Sequence, residues 1–83
     1  MALECHVYKS AKQEHLYLFV MAEDGLSRVP DQLMAKFGEP KKTLSLTLKE
    51  DLFLAKEDPV EVMKNLQEHG YHLQLPPADE RFV

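Results

Sequence analysis

Apolar and polar residues alternate in the first segment of the chain. Leu3, Cys5 and Val7 point to one side, and the residues between them point to the other. This pattern is typical of a half-buried strand. Residues 15–20, of sequence HLYLFV, predict a second strand that is apolar on both faces. A short polar turn separates the two segments, so we expect an antiparallel hairpin.

Two segments have apolar residues at helical spacing and clear end signals. The first helix is expected to start near Pro30, since proline suits the first helical turn, and to end at Gly38. The second begins at Asp58-Pro59, where the aspartate can cap the helix and the proline suits its first position. Gly70 marks its end. Each predicted helix presents one narrow apolar stripe.

Two more strands are predicted at residues 43–48 (TLSLTL) and 71–75 (YHLQL), with a short return strand at 52–55 between them. The order β-β-α-β-(β)-α-β indicates an α+β protein, a small single-domain α/β sandwich with a sheet of about four strands and two main helices. Because an alternating strand has one apolar face, we expect both helices on the same side of the sheet. That side would consist of Leu3, Cys5, Val7, Leu16, Leu18, Val20, Leu44, Leu46, Leu48, Tyr71, Leu73 and Leu75.

Length and cysteine content limit the class of protein. Eighty-three residues form one domain. The single cysteine excludes an internal disulfide and fits a reducing compartment.

The N-terminus lacks a basic signal-peptide region, and the longest apolar run, residues 16–22, is far shorter than the about 20 residues that span a bilayer. We therefore expect a cytoplasmic protein with no membrane partner.

The charge balance disfavours nucleic acid as a partner. The net charge is −4, whereas nonspecific binding to nucleic acid depends on neutralisation of phosphates by lysine and arginine. A local basic patch stays possible, because five lysines lie in the first half of the chain: Lys9, Lys12, Lys36, Lys41 and Lys42.

The sequence contains no motif for catalysis or metal binding. Cys5 and His6 are adjacent on a strand, so they point to opposite faces and cannot share an ion. One cysteine also cannot supply the repeated close spacing of a zinc site. The GxSxG, P-loop and GxGxxG motifs are absent. We predict no cofactor, no metal ligand and no catalytic residue, which favours a function other than catalysis.

Strand alternation predicts a second sheet face that carries rings and imidazoles. We interpret it as a candidate interaction face, because contiguous exposed patches mark interaction sites; the alternative is a face that is solvated or covered by the C-terminal tail. Its members are His6, Tyr8, Tyr17, Phe19, His72 and Gln74. Arg28, just before a helix N-terminus, is a candidate anion contact. A surface ion pair is the alternative for this arginine.

Several segments, in this order along the chain, resemble the YcgL domain family of bacterial proteins. They are Cys5, Val7-Tyr8-Lys9-Ser10, Tyr17-Leu18-Phe19-Val20, Leu26-Ser27-Arg28-Val29-Pro30, Phe37-Gly38 with Pro40, Leu54-Ala55 with Asp58, Gly70-Tyr71 and Leu73-Gln74-Leu75-Pro76-Pro77. The resemblance predicts a YcgL-like domain at residues 1–77, followed by a short tail at 78–83. It implies an α/β/α sandwich, and it implies no activity and no catalytic residue.

Two functional hypotheses from different classes follow. The leading one is a small non-catalytic cytoplasmic binding module that works through a protein partner or a homodimer. The alternative is a small enzyme or ligand-binding accessory domain that acts on a phosphorylated or nucleotide compound, with Arg28 at the anion site.

Overall fold

Six elements make up the part of the chain that the computed structural model describes, which is residues 2–49, 51 and 58–75. In chain order they are β1 (Ala2–Ser10), β2 (Tyr17–Met21), α1 (Asp31–Phe37), β3 (Pro40–Lys49), α2 (Pro59–His69) and β4 (Tyr71–Gln74). The predicted α+β class is confirmed. The return strand expected at 52–55 and the tail at 78–83 lie outside the described residues.

The strands form one antiparallel sheet in the order β3-β1-β2-β4. β1 and β2 form the expected hairpin and occupy the centre, while β3 and β4 lie at the edges of the described sheet. Both β2 and β3 run antiparallel to β1, so they are parallel to each other, and α1 connects them across β1. The connection is a split β-α-β unit.

The two helices pack on opposite faces of this sheet. Directly opposite residues of neighbouring strands share a face, and the register pairs Val7 with Phe19 but Tyr8 with Leu18. The side with Val7, here called the α2 face, packs against α2 in a cluster of Cys5, Val7, Phe19, Leu48, Val62, Met63 and Leu66. The other side, the α1 face, packs in a cluster of Leu16, Leu18, Val20, Val29 and Phe37.

The expectation that both helices share one face is therefore wrong. The structure has the α/β/α sandwich that the family resemblance implies, with one helix on each face of the sheet. The reason lies in β2. Leu18, Phe19 and Val20 are all buried, so β2 is apolar on both faces, and alternation alone does not decide which face meets the apolar side of β1. A sheet with two apolar faces needs a cover on each.

Ser10 joins the end of β1 to the end of α1. Its side chain is buried, and its hydroxyl donates a hydrogen bond to the carbonyl oxygen of Phe37. The Ser10 hydroxyl oxygen in turn accepts hydrogen bonds from the backbone N–H groups of Lys12, at 3.0 Å, and Gln13, at 3.1 Å. The hairpin turn and the C-terminus of α1 thus depend on one hydroxyl group.

The ends of α2 follow the sequence signals. The Asp58 carboxylate accepts a hydrogen bond from the Val60 N–H at 3.0 Å, as expected of an N-cap. Gly70 has a φ of 87° and donates its N–H to the Leu66 carbonyl oxygen. A Cβ at position 70 would lie 2.6 Å from the Cβ of Arg28. Glycine is required there both by the backbone conformation and by the close approach of Arg28.

The Cys5 thiol is expected to be unreactive in the folded protein. Only 1% of this residue is exposed, and burial raises the pKa of its thiol to about 11, so little of the nucleophilic thiolate forms at neutral pH. Ellman's reagent should label the native protein at least about 100-fold more slowly than the urea-unfolded chain, because reaction requires opening of the core. Equal labelling rates would contradict the burial of Cys5 beneath α2.

Candidate interaction surface

The six residues of the predicted interaction face lie on both faces of the sheet. His6 and Tyr8 lie on the α1 face, because they are opposite Val20 and Leu18 in the register. The other four lie on the α2 face: Tyr17, Phe19, His72 and Gln74. The prediction that all six share one face is wrong. Because β2 is apolar on both faces, alternation alone does not decide which of its faces meets the apolar side of β1. A binding role for any one of the six stays a prediction.

The α2 face is not an open surface, because its central residue, Phe19, belongs to the buried cluster that packs against α2. Phe19 is 5% exposed, and its ring and that of His72 are in an edge-to-face arrangement with a centroid distance of 5.7 Å. The side-chain nitrogen of Asn65, on α2, lies 2.9 Å from His72 Nδ1. The aromatic pair joins β2 to β4, and the polar contact joins β4 to α2.

Arg28 lies between an acidic side chain and the end of α2. Its guanidinium Nη1 is 3.5 Å from Asp24 Oδ2, and its alkyl chain covers Gly70. The surface ion pair considered as the alternative is present. Contact of Arg28 with a ligand anion stays a prediction.

The outer edge of β3 is the most open part of the described sheet. Five successive residues, 41–45, are exposed, and Leu44 is 48% exposed. The expectation that Leu44 faces inward is wrong, because the buried residues of α2 cluster with Leu48, nearer the other end of β3. Register shifts between Val7 and Tyr8 further displace this part of β3 relative to β1.

Two lysines, Lys41 and Lys42, lie at the start of β3, within the same exposed run. Lys41 lies directly opposite Lys9 on β1, and the neighbouring Lys42 lies opposite Tyr8. Among the described residues, none of these three lysines forms a salt bridge. The sheet is therefore positively charged where β1 ends and β3 begins, although the net charge of the chain is −4.

Sequence reasoning missed both the open edge and the opposed lysines. A signal for the edge was present, since TLSLTL is an uncharged strand flanked by Lys42 and Lys49, and lysines are typical of edge strands. The pairing of Lys9 with Lys41 had no local signal, because it depends on the register between strands that are distant in sequence.

The described residues contain neither a cluster of metal-ligating side chains nor a helix that could span a membrane. Within residues 2–49, 51 and 58–75, no three His, Cys, Asp or Glu side chains come close enough together to hold a metal ion. Neither α1 nor α2 has the length and apolarity needed to cross a bilayer.

The described residues define a small α+β domain, with a four-stranded antiparallel sheet between two helices and an exposed strand, β3, at one edge of that sheet. The chain belongs to the YcgL domain family, whose model matches residues 5–77. This confirms the resemblance seen in the sequence.

The relatives are similar over almost the whole chain. A YcgL domain-containing protein of Pseudomonas fluorescens (strain Pf0-1) is 46% identical over 79 residues, covering 95% of this chain and 81% of the relative. A YcgL domain-containing protein of Azotobacter vinelandii has the same identity and coverage. One from Stutzerimonas stutzeri (strain A1501) is 42% identical over 83 residues, covering 100% of this chain and 86% of the relative.

Proposed function

We propose that this chain is a non-catalytic binding module that accepts an extended segment of a protein partner at the edge of β3. The observation that carries the proposal is the exposed run of residues 41–45 on the outermost described strand. Alternate backbone N–H and C=O groups of an edge strand point away from the sheet, so they can pair with a further strand.

The composition of the edge supports this use. Natural edge strands are often blocked by charged residues within the strand; in β3 the lysines lie only near the two ends, at 41, 42 and 49, and residues 43–48 between them carry no charge. Leu44 adds an exposed apolar side chain between two small hydroxyl residues, Thr43 and Ser45. An added strand would gain main-chain hydrogen bonds from the edge and an apolar contact from Leu44.

Charge argues for an acidic segment over a second copy of the chain. If two copies of β3 paired antiparallel about Ser45, Lys41 of each would lie opposite Lys49 of the other. Like charges placed directly opposite destabilise a strand pair. An acidic extended segment instead complements Lys41 and Lys42.

The alternative, an accessory domain or enzyme with Arg28 at its anion site, draws no support from the geometry. Asp24 already supplies a carboxylate to the guanidinium. The adjacent helix α1 has only seven residues, and Asp31 already places an acidic side chain in its first turn.

Display of short random peptides against the purified protein tests the proposal. We expect the enriched peptides to be acidic and to alternate β-branched with polar residues, because they must adopt a strand. Leu44→Asp should weaken binding of an enriched peptide by about tenfold or more, since it removes the apolar contact and adds a repelling charge.

Val60 offers a matched control for this variant. It is 51% exposed, against 48% for Leu44, but lies on α2. Val60→Asp should therefore leave peptide affinity unchanged. Equal losses in both variants, or none in Leu44→Asp, would refute binding at the edge. A dimer in light scattering that Leu44→Asp dissociates would assign the edge to a second copy instead.

A further inference from the structure

A cleft of about 380 Å³ lies where β1 ends and β3 begins. Its wall is made by the last residues of β1, the turn that follows and the start of β3: Lys9, Ser10, Ala11, Lys12, Glu14 and Lys41. Three of these side chains are cationic and one is anionic. The cleft is therefore positively charged, in contrast to the chain as a whole.

Two of the lysines repel each other in the folded protein. Lys9 and Lys41 are directly opposite each other on antiparallel strands, an arrangement that destabilises a sheet. No carboxylate in the described residues forms a salt bridge with either ammonium group. Local choices that oppose stability are expected at functional sites, and a bound anion would remove this repulsion.

The third lysine is held in place by the end of α1. Lys12 Nζ donates a hydrogen bond to the carbonyl oxygen of Ala35 at 3.3 Å. The Lys12 alkyl chain lies against Gly38, where a Cβ would approach its Cδ to 2.5 Å. Its backbone N–H is bound to the buried hydroxyl of Ser10. This side chain is thus positioned at the cleft before any ligand arrives.

We propose that this cleft binds a phosphate group. Three lysines against one glutamate leave two positive charges, which match a phosphate monoester that carries about −1.5 to −2 at neutral pH. Lysine binds phosphate as a compact point charge without the planar geometry that arginine requires. The group can come from free phosphate or from a phosphate monoester; the site shares Lys41 with the β3 edge but needs no peptide bound there.

Titration of the ¹⁵N-labelled protein with inorganic phosphate, at neutral pH and constant ionic strength, tests this site. We expect saturable amide shifts confined to residues 9–14 and 41. A parallel titration with phosphoserine identifies the source: tighter binding of phosphoserine indicates a monoester, and tighter binding of phosphate indicates the free ion. Saturation by neither, or shifts spread over lysines throughout the chain, would overturn the proposal.

The variant Lys9→Gln/Lys41→Gln should weaken phosphate binding by about tenfold or more. Its thermal stability without phosphate should be equal to or higher than that of the unaltered protein, since the repulsion is gone. Lys64→Gln removes one exposed charge from α2 and should change neither quantity. Leu44→Ala, which removes the apolar contact of the β3 edge without adding a charge, should retain phosphate binding, which separates this site from the peptide edge. Unchanged phosphate affinity in the double variant would refute the site.

Discussion

Leu18→Ala and Leu66→Ala are each expected to lower the free energy of unfolding by about 2–5 kcal/mol. Both side chains are 0% exposed, and each belongs to a different core, Leu18 on the α1 face and Leu66 on the α2 face. Truncation removes apolar contacts and leaves a cavity that the close-packed surroundings fill only in part. Urea unfolding followed by circular dichroism measures both losses.

Leu44→Ala is the matched control for these two variants. Alternation placed Leu44 in the core, but it is 48% exposed, so its truncation should cost less than about 1 kcal/mol. A loss as large as that of Leu18→Ala would show that Leu44 is buried and that the β3 edge is covered.

The milder pair Leu18→Val and Leu66→Val tests whether the cores are separate. Because the two residues lie in different clusters on opposite faces, their effects should add within about 0.5 kcal/mol in the double variant. A coupling well above that value would contradict the two-sided sheet, since residues that share one core interact.

Ser10→Ala is expected to lower the free energy of unfolding by about 2–3 kcal/mol. The substitution removes a hydroxyl that is 3% exposed and makes three hydrogen bonds. Each bond is worth about 1 kcal/mol, and buried groups left without a partner add their desolvation cost. The Phe37 carbonyl oxygen would lose this bond at the C-terminus of α1, where carbonyl groups lack partners within the helix.

Ser27→Ala is the control for this second prediction. Ser27 is exposed, and its hydroxyl donates to the Asp24 carbonyl oxygen at 2.7 Å. Its loss should cost at most about 1 kcal/mol, because water replaces the partner. Chemical denaturation of both variants under the same conditions decides the matter. Equal losses would mean that Ser10 does not join the hairpin to α1.

The elements of the fold were predictable because their end signals are local. Gly38, Gly70 and the Asp58-Pro59 pair mark helix ends through backbone conformation and capping, which involve neighbouring residues only. The hairpin also followed from two strand patterns and a polar turn between them. The helix-end signals lie within about one helical turn of the residues that cause them, and the hairpin joins two strands that are consecutive in the chain.

The arrangement of the faces was not predictable in the same way. In β2 both Leu18 and Phe19 are apolar, so either could face the apolar side of β1, and only the register selects Phe19. The exposure of Leu44 depends on where α2 crosses the sheet, and the Lys9–Lys41 pair depends on strand pairing. These properties arise from contacts between segments distant in sequence, and they include both surfaces proposed to bind ligands.

Amide hydrogen exchange in the free protein tests the open edge of β3 most directly. In residues 41–45, we expect the N–H groups that point away from β1 to exchange rapidly and those bonded to β1 slowly. Residues 5–9 of β1 have a strand on each side and should be protected throughout. Slow exchange at every amide from 41 to 45 would contradict the account, because it would mean that another strand already occupies the edge.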